Sequence, residues 1–236
     1  MSCATSTLVW SYVAENTLRI SHAIPSLLTL GASVTERDGK MKQTKDTTKN
    51  VINKITTDTI LFFDMDGTLV DTDYANFLSY RKAIFSITKS DQNLTYNPDR
   101  RFNRSILKSI IPNLTEAEYE KIIKEKEEYY NDFLHETKLN TEISNILFKY
   151  YRTNKTVLVT NCRKDRAITT LKHFELEDKF SNIFCREFGD SKINKFQNAI
   201  SKLSVSPNLV IAFENEETEI ADAKKAGIQT INPQII

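Results

Sequence analysis

Three short apolar runs are spread along this chain, and each of them ends in polar residues. The runs lie at residues 60–63, 156–160 and 209–213. Short apolar runs bounded in this way are typical of strands that are buried on both faces of a parallel sheet. Segments with helical spacing lie between the runs and after the last of them. This alternation predicts an α/β protein with a doubly wound parallel sheet.

The segment between the first and the second strand carries the signals of helices. Thr115 is followed three residues later by Glu118, which is the spacing of a capping box at the start of a helix. Residues at helical spacing behind this box mark one apolar face: Tyr119, Ile122, Ile123, Tyr130 and Phe133. We therefore expect residues 57–73 and 152–236 to form an α/β core, and residues 74–151 to form a helical cap inserted into it.

Residues 1–56 do not share this pattern, and we expect them to form an N-terminal extension to the core. Charged residues and a proline interrupt their apolar positions, so we expect neither a membrane span nor a secretory signal there. We expect residues 1–40 to be either a poorly ordered extension or a segment that the native protein lacks because its translation starts further along the sequence. In the second case the protein would begin at Met41, which the intact mass of the native protein would show.

The first predicted strand ends in two carboxylates. Asp64 and Asp66 lie two residues apart, so an extended backbone directs both side chains to the same side. Gly67 permits a sharp turn and a close approach of a ligand to the backbone, and Thr68 offers a hydroxyl and an N–H. Asp-Gly alone is typical of a solvated turn. Two carboxylates directly after a buried strand, however, repel each other, and a cation such as Mg²⁺ or a shared proton is needed to reduce this repulsion.

The second and third predicted strands also end in polar groups. Thr160 and Asn161 can donate hydrogen bonds to a phosphate oxygen, although Asn161 could also cap the following helix. The third strand leads to Glu214, Asn215 and Glu219, where carboxylates favour a cation or the positive end of a helix dipole. Ligands of open α/β sheets bind at the carboxyl ends of the strands. We therefore expect these groups to share one site.

Residues 63–72, Phe-Asp-Met-Asp-Gly-Thr-Leu-Val-Asp-Thr, resemble the first motif of the haloacid dehalogenase superfamily, and its phosphatase branch in particular. Residues 213–228 are similar to the last motif of this family, in which an aspartate usually stands at Asn215. The resemblance covers about three quarters of the chain. It implies a Rossmann-like sheet with an α-helical cap, as in phosphoglycolate phosphatase-like and β-phosphoglucomutase-like members.

The resemblance also implies a Mg²⁺-dependent phosphatase that acts on a small phosphorylated metabolite. Asp64 would be the nucleophile that forms an aspartyl-phosphate, and Asp66 the general acid and base. The implied phosphate-binding residues are Gly67, Thr68, Thr160, Asn161 and a lysine near the start of a later helix. The candidate metal ligands are Asp64, Asp66, Glu214, Asn215 and Glu219.

Two lysines compete for the phosphate-binding role. Lys195 stands directly before a helix-like run, and Asn194 is placed to cap that helix. We choose Lys195 on this placement and keep Lys192 as the alternative.

Asn215 departs from the family pattern because it removes one negative charge from the expected metal site. An amide oxygen can still bind a metal ion or a metal-bound water, and Glu214 or Glu219 could supply the missing charge. The departure leaves a catalytically weakened binding or regulatory protein as one alternative. A phosphomutase, which would use the same Asp64 but return the phosphoryl group to a sugar, is the other.

Composition adds limits on the partners. The chain has 236 residues and a formal net charge of +1, which gives no electrostatic case for nucleic acid or a membrane surface. Three widely spaced cysteines indicate the reducing cytoplasm and no disulfide framework. No pattern fixes the oligomeric state, and we take a monomer as the expectation. We expect Arg100, Arg101 and Arg104 to be solvated, with contact to a second anionic group as the alternative.

Overall fold

The computed structural model of the protein describes residues 50–90, 94–186 and 193–233. The expectations for residues 1–49, and the alternative lysine Lys192, lie outside these residues. No helix in the described ranges is long enough and apolar enough to cross a membrane.

A five-stranded parallel sheet forms the centre of the described part of the chain. The described residues form seven strands, and two of them, β2 and β3, lie outside this sheet. In chain order the strands are β1 Ile60–Phe63, β2 Val70–Asp71, β3 Lys138–Leu139, β4 Lys155–Arg163, β5 Asn182–Arg186, β6 Val210–Glu214 and β7 Thr230–Pro233. The order in the sheet is β5-β4-β1-β6-β7, and every neighbouring pair is parallel. The fully buried β1 is central, where Phe63 pairs with Leu158 of β4 and with Phe213 of β6.

The helices of the described residues are α1 Asp73–Thr88, α2 Arg104–Ile110, α3 Glu116–Tyr129, α4 Thr141–Tyr150, α5 Lys164–His173, α6 Lys195–Leu203 and α7 Glu217–Lys225. Short 3-10 helices cover Tyr130–Glu136, Glu177–Lys179 and Pro207–Leu209. The predicted capping box is confirmed, since Thr115 and Glu118 exchange their side-chain and backbone hydrogen bonds at the start of α3. Asn194 caps α6, as the sequence predicts, by accepting hydrogen bonds from two backbone N–H groups.

Residues 73–136, which we call the helical insert, lie between β2 and β3. These two short strands pair antiparallel, with Val70 opposite Leu139. The insert has an apolar cluster of its own, in which side chains of α1, α2 and α3 pack together. Phe77, Ile84, Leu107 and Ile122 are among its buried members. A separate core stabilises the insert because each of its helices buries an apolar face there.

Helix α4 packs on the sheet and not in the insert. Its buried residues Ile143, Ile146 and Leu147 belong to the apolar cluster that contains Phe63 of β1. The sequence pattern placed this helix in the cap because helical spacing does not show which cluster a helix joins. We therefore propose a cap that ends near residue 137 instead of residue 151. Val51 is buried in the same sheet cluster, so the packed chain includes residues from the expected N-terminal extension.

Candidate active site

Strand β1 brings Asp64 to the carboxyl end of the sheet at its centre. The Asp64 N–H donates to the carbonyl oxygen of Phe213 at 3.1 Å, which fixes the backbone just beyond the strand. The carboxylate is buried, and this burial raises the pKa of Asp64 to about 6 although the nearby Lys195 acts in the opposite direction. The carboxylate therefore lies at the end of the sheet where ligands of such folds bind.

Lys195, at the first position of α6, contacts three carboxylates. Its Nζ lies 2.7 Å from Asp64 Oδ1 and 2.8 Å from Glu214 Oε2, and it also contacts Glu219. Burial alone would lower the pKa of Lys195, but the three carboxylates outweigh burial and raise it well above its usual value. The structure therefore brings the lysine that the sequence favours next to the predicted nucleophile.

The three carboxylates form a compact group. Oxygen atoms of Asp64, Glu214 and Glu219 all lie within 4.8 Å of one another. Glu214 is fully buried, and burial together with the Asp64 charge raises its pKa to about 8. Glu219 accepts a hydrogen bond from Asn161 Nδ2 at 2.8 Å. One ammonium group cannot neutralise three carboxylates, so the group has the charge and the oxygen donors that suit a divalent cation.

Asp66 has different partners. Its carboxylate accepts hydrogen bonds from Thr72 Oγ1 at 2.8 Å and from Arg166 Nη2 at 2.6 Å, and Arg101 lies 3.5 Å away. Burial raises the pKa of Asp66, but the two guanidinium groups and the Thr72 hydroxyl outweigh it and lower this pKa overall. Asp66 is therefore held apart from the group of three carboxylates, although it lies only two residues from Asp64.

Gly67, Thr68 and Asn215 support the turn that follows the two aspartates. Gly67 has a φ of +84°, and a Cβ at this position would lie 2.4 Å from the Asn215 amide nitrogen. Thr68 is fully buried and donates from Oγ1 to Asn215 Oδ1 at 3.1 Å. The side chains of Thr68 and Asn215 are thus hydrogen-bonded to each other across the turn. Neither residue lines the cavity that lies between the sheet end and the helical insert.

A cavity of about 280 Å³ lies between the sheet end and the helical insert. Asp64, Asp66, Thr160, Asn161 and Glu219 line it from the strand ends. The insert contributes Asn76, Tyr80, Arg101 and Lys126. Space for a small substrate therefore opens directly in front of the two aspartates.

Two arginines in the site were not identified from the sequence. The expectation that Arg101 is solvated is wrong, because Arg101 forms ion pairs with Asp66, Asp73 and Glu216. Arg166, near the start of α5, bonds to Asp66 across 100 positions of sequence. Neither arginine belongs to a local pattern, so only the packing of the insert and of α5 against β1 reveals them.

Comparison with known proteins identifies the family of this chain. The family model of haloacid dehalogenase-like hydrolases matches residues 61–232, which is most of the chain. The chain belongs to the haloacid dehalogenase-like hydrolases. This hydrolase is 26% identical over 184 residues to a phosphorylated carbohydrates phosphatase of Thermotoga maritima, with 72% of this chain and 82% of the relative covered.

Solved structures show the same fold at low identity. CbbY from Rhodobacter sphaeroides, in complex with phosphate, is 18% identical with a TM-score of 0.61, and 75% of this chain and 86% of that chain are covered. A haloacid dehalogenase-like hydrolase from Streptococcus pneumoniae is 19% identical with a TM-score of 0.59, covering 75% and 84%. The predicted family, the fold class and the assignment as a phosphatase-type enzyme of this family are thus confirmed.

Proposed function

We propose that this hydrolase removes phosphate from a small phosphorylated carbohydrate through a covalent intermediate on Asp64. The observation that carries the proposal is the buried Asp64, which contacts Lys195 and lines a cavity that Asp66 also lines. The name of the Thermotoga relative supports a phosphorylated carbohydrate as the substrate. A cavity of about 280 Å³ suits a small metabolite better than a folded protein.

In the first step an Asp64 carboxylate oxygen attacks phosphorus, and a P–O bond forms as the bond to the leaving oxygen breaks. Asp66 delivers a proton to that oxygen, so that an alcohol leaves and not an alkoxide. Because Arg101 and Arg166 favour the ionised form of Asp66, the proton it delivers is the one it took from water in the second step of the preceding turnover. In the second step Asp66 takes a proton from water, which attacks the aspartyl-phosphate and releases inorganic phosphate. The Thr72 hydroxyl, 2.8 Å from Asp66, orients this carboxylate for both proton transfers.

The phosphoryl oxygens need donors in the transition state. Lys195 supplies an ammonium group that contacts Asp64, and Thr160 and Asn161 line the cavity together with Asp64. Thr160 Oγ1 accepts a hydrogen bond from the N–H of Cys162, which leaves its own hydrogen available to a ligand. Each donor of this kind contributes about 3 kcal/mol to transition-state stabilisation.

Asp64, Glu214 and Glu219 would hold Mg²⁺, since their oxygen atoms converge and Lys195 leaves part of their charge uncompensated. When bound, the ion would stabilise negative charge on the transferred phosphoryl group. Glu219 supplies the third carboxylate, so the substitution at Asn215 does not empty the site of negative charge. This arrangement supports an active enzyme over a weakened binding protein.

Replacing Glu219 with glutamine should weaken Mg²⁺ binding about tenfold or more, because the group loses one charged ligand. Isothermal titration calorimetry of the free protein measures this directly. Glu217→Gln, on the same helix but exposed, is the matched control and should bind Mg²⁺ as the wild type does. Equal affinities for the two variants would exclude Glu219 as a ligand.

Asn215→Asp tests the other candidate ligand in the same titration. Tighter binding of Mg²⁺ would show that position 215 contacts the ion. Unchanged binding would show that Glu214 and Glu219 already supply the charge.

Release of inorganic phosphate tests the proposed function. The wild-type protein should release phosphate from p-nitrophenyl phosphate and from sugar phosphates with Mg²⁺ present, and not with a chelator. Analysis of the sugar product separates hydrolysis from a phosphomutase, which would return an isomeric sugar phosphate. Binding of a phosphate analogue without any turnover would instead identify a binding protein.

The cytoplasm remains the compartment we propose. Cys162 and Cys185 are both free thiols in the structure, which suits a reducing environment.

A further inference from the structure

One face of α1 leads from Asp66 into the cavity. Thr72, Asn76 and Tyr80 follow each other at intervals of four residues, so they lie on the same side of the helix. Thr72 donates to Asp66, and the next two residues line the cavity. Because Asp66 serves the leaving oxygen in the proposed reaction, this stripe lies on the leaving-group side of the site.

The stripe has hydrogen-bonding capacity that the protein does not use. Asn76 Nδ2 donates to the carbonyl oxygen of Phe102 at 3.0 Å, which fixes the amide, while the buried Oδ1 has no partner among the described residues. Tyr80 lines the same cavity, with its ring against Phe102, so its hydroxyl is a second group that can bond to a ligand there. A buried polar group without a partner costs free energy, so its presence beside a cavity requires an explanation.

Lys126 of α3 completes this group from the opposite side. Its Nζ lies 5.2 Å from the centre of the Tyr80 ring and donates to Glu127 Oε1 at 3.1 Å. The side chain is buried and lines the cavity. An ammonium group has three hydrogens, so Lys126 can donate to a ligand while it keeps its carboxylate partner.

The charges around the stripe argue against a second phosphate. Lys126 is paired with Glu127, and Arg166 is paired with Asp66. Arg101 is paired with Asp66, Asp73 and Glu216. A second dianion would have to displace carboxylates from these buried or half-buried cations, which costs more than pairing with free ones. A hydroxyl group needs no such displacement.

We propose that Asn76, Tyr80 and Lys126 form a leaving-group subsite that binds the hydroxyl groups of an uncharged polyol. The preferred substrates are then monophosphate esters of sugars or sugar alcohols, and not bisphosphates. This inference rests on the proposed phosphatase function, which it makes more specific.

Tyr80→Phe tests the subsite because it removes one hydroxyl and keeps the ring. Values of kcat/KM are measured for p-nitrophenyl phosphate, for a panel of hexose, pentose and alditol monophosphates, and for glucose 1,6-bisphosphate. The ratio of the best sugar monophosphate to p-nitrophenyl phosphate should fall about fivefold in Tyr80→Phe, as the loss of one hydrogen bond implies. Asn76→Ala should lower the same ratio.

Tyr119→Phe is the matched control, because the Tyr119 hydroxyl bonds to the Arg104 carbonyl oxygen and the residue does not line the cavity. This control should keep the wild-type ratio. An unchanged ratio in both Tyr80→Phe and Asn76→Ala, or a wild-type preference for the bisphosphate, would overturn the subsite. A wild-type protein that cleaves no ester at all would instead refute the phosphatase function itself.

Discussion

Replacing Asp64 with asparagine should abolish phosphate release while the protein still folds. An amide is too weak a nucleophile to attack phosphorus, and the other two carboxylates beside Lys195, Glu214 and Glu219, are the proposed metal ligands. We expect kcat/KM to fall by about 10⁴-fold or more, as it does when a covalent nucleophile is removed. The fold should persist because the asparagine oxygen can still accept from Lys195 and the burial of one negative charge is relieved.

The measurement compares phosphate release with thermal unfolding. Asp58→Asn, the same change at an exposed position before β1, is the matched control and should retain full activity. An Asp64→Asn protein with near-native activity would remove Asp64 from consideration as the nucleophile. A variant that fails to fold would show that Asp64 has a structural role instead.

Replacing Lys195 with methionine should have the largest effect on stability. It leaves the buried Asp64 and Glu214, and the partly buried Glu219, without their ammonium partner. Breaking a buried ion pair from one side costs about 3–5 kcal/mol, so the free energy of unfolding should fall by that amount. Activity should also fall, by about 100-fold, because a donor to the phosphoryl group is lost.

Urea unfolding at neutral pH with a chelator measures the stability change. Lys202→Met, on the exposed side of the same helix, should change the free energy of unfolding much less. Added Mg²⁺ should restore part of the stability of Lys195→Met if the three carboxylates bind the ion. Equal stability of the two variants would show that Lys195 does not neutralise the carboxylates.

The sequence predicted those parts of the structure that depend on short local patterns. The apolar run of β1, the capping box of α3 and the Asn194 cap of α6 are all visible within a few residues. Lys195 could be placed for the same reason, because its helix start is local. The carboxyl ends of β1 and β6 then bring Asp64 and Glu214 together as a consequence of parallel pairing.

Other parts depend on which surfaces pack together, and no local pattern encodes that. Arg101 reaches Asp66 from 35 positions away, and Arg166 reaches it from 100 positions away. Helix α4 likewise packs on the sheet because its apolar face joins the cluster around Phe63, and its helical spacing alone does not show this. The unpaired oxygen of Asn76 could not be foreseen either, since it depends on the position of the Phe102 carbonyl.

The antiparallel pair of β2 and β3 has a consequence for how such proteins diversify. The chain leaves the core at Val70 and returns at Leu139, and these two residues lie opposite each other in the antiparallel pair. A segment whose ends lie side by side can be lengthened, shortened or exchanged without moving the strands of the sheet. In the proposed reaction, selection can therefore change which alcohol is released by altering residues 73–136, while the proposed phosphoryl-transfer groups on the sheet stay as they are.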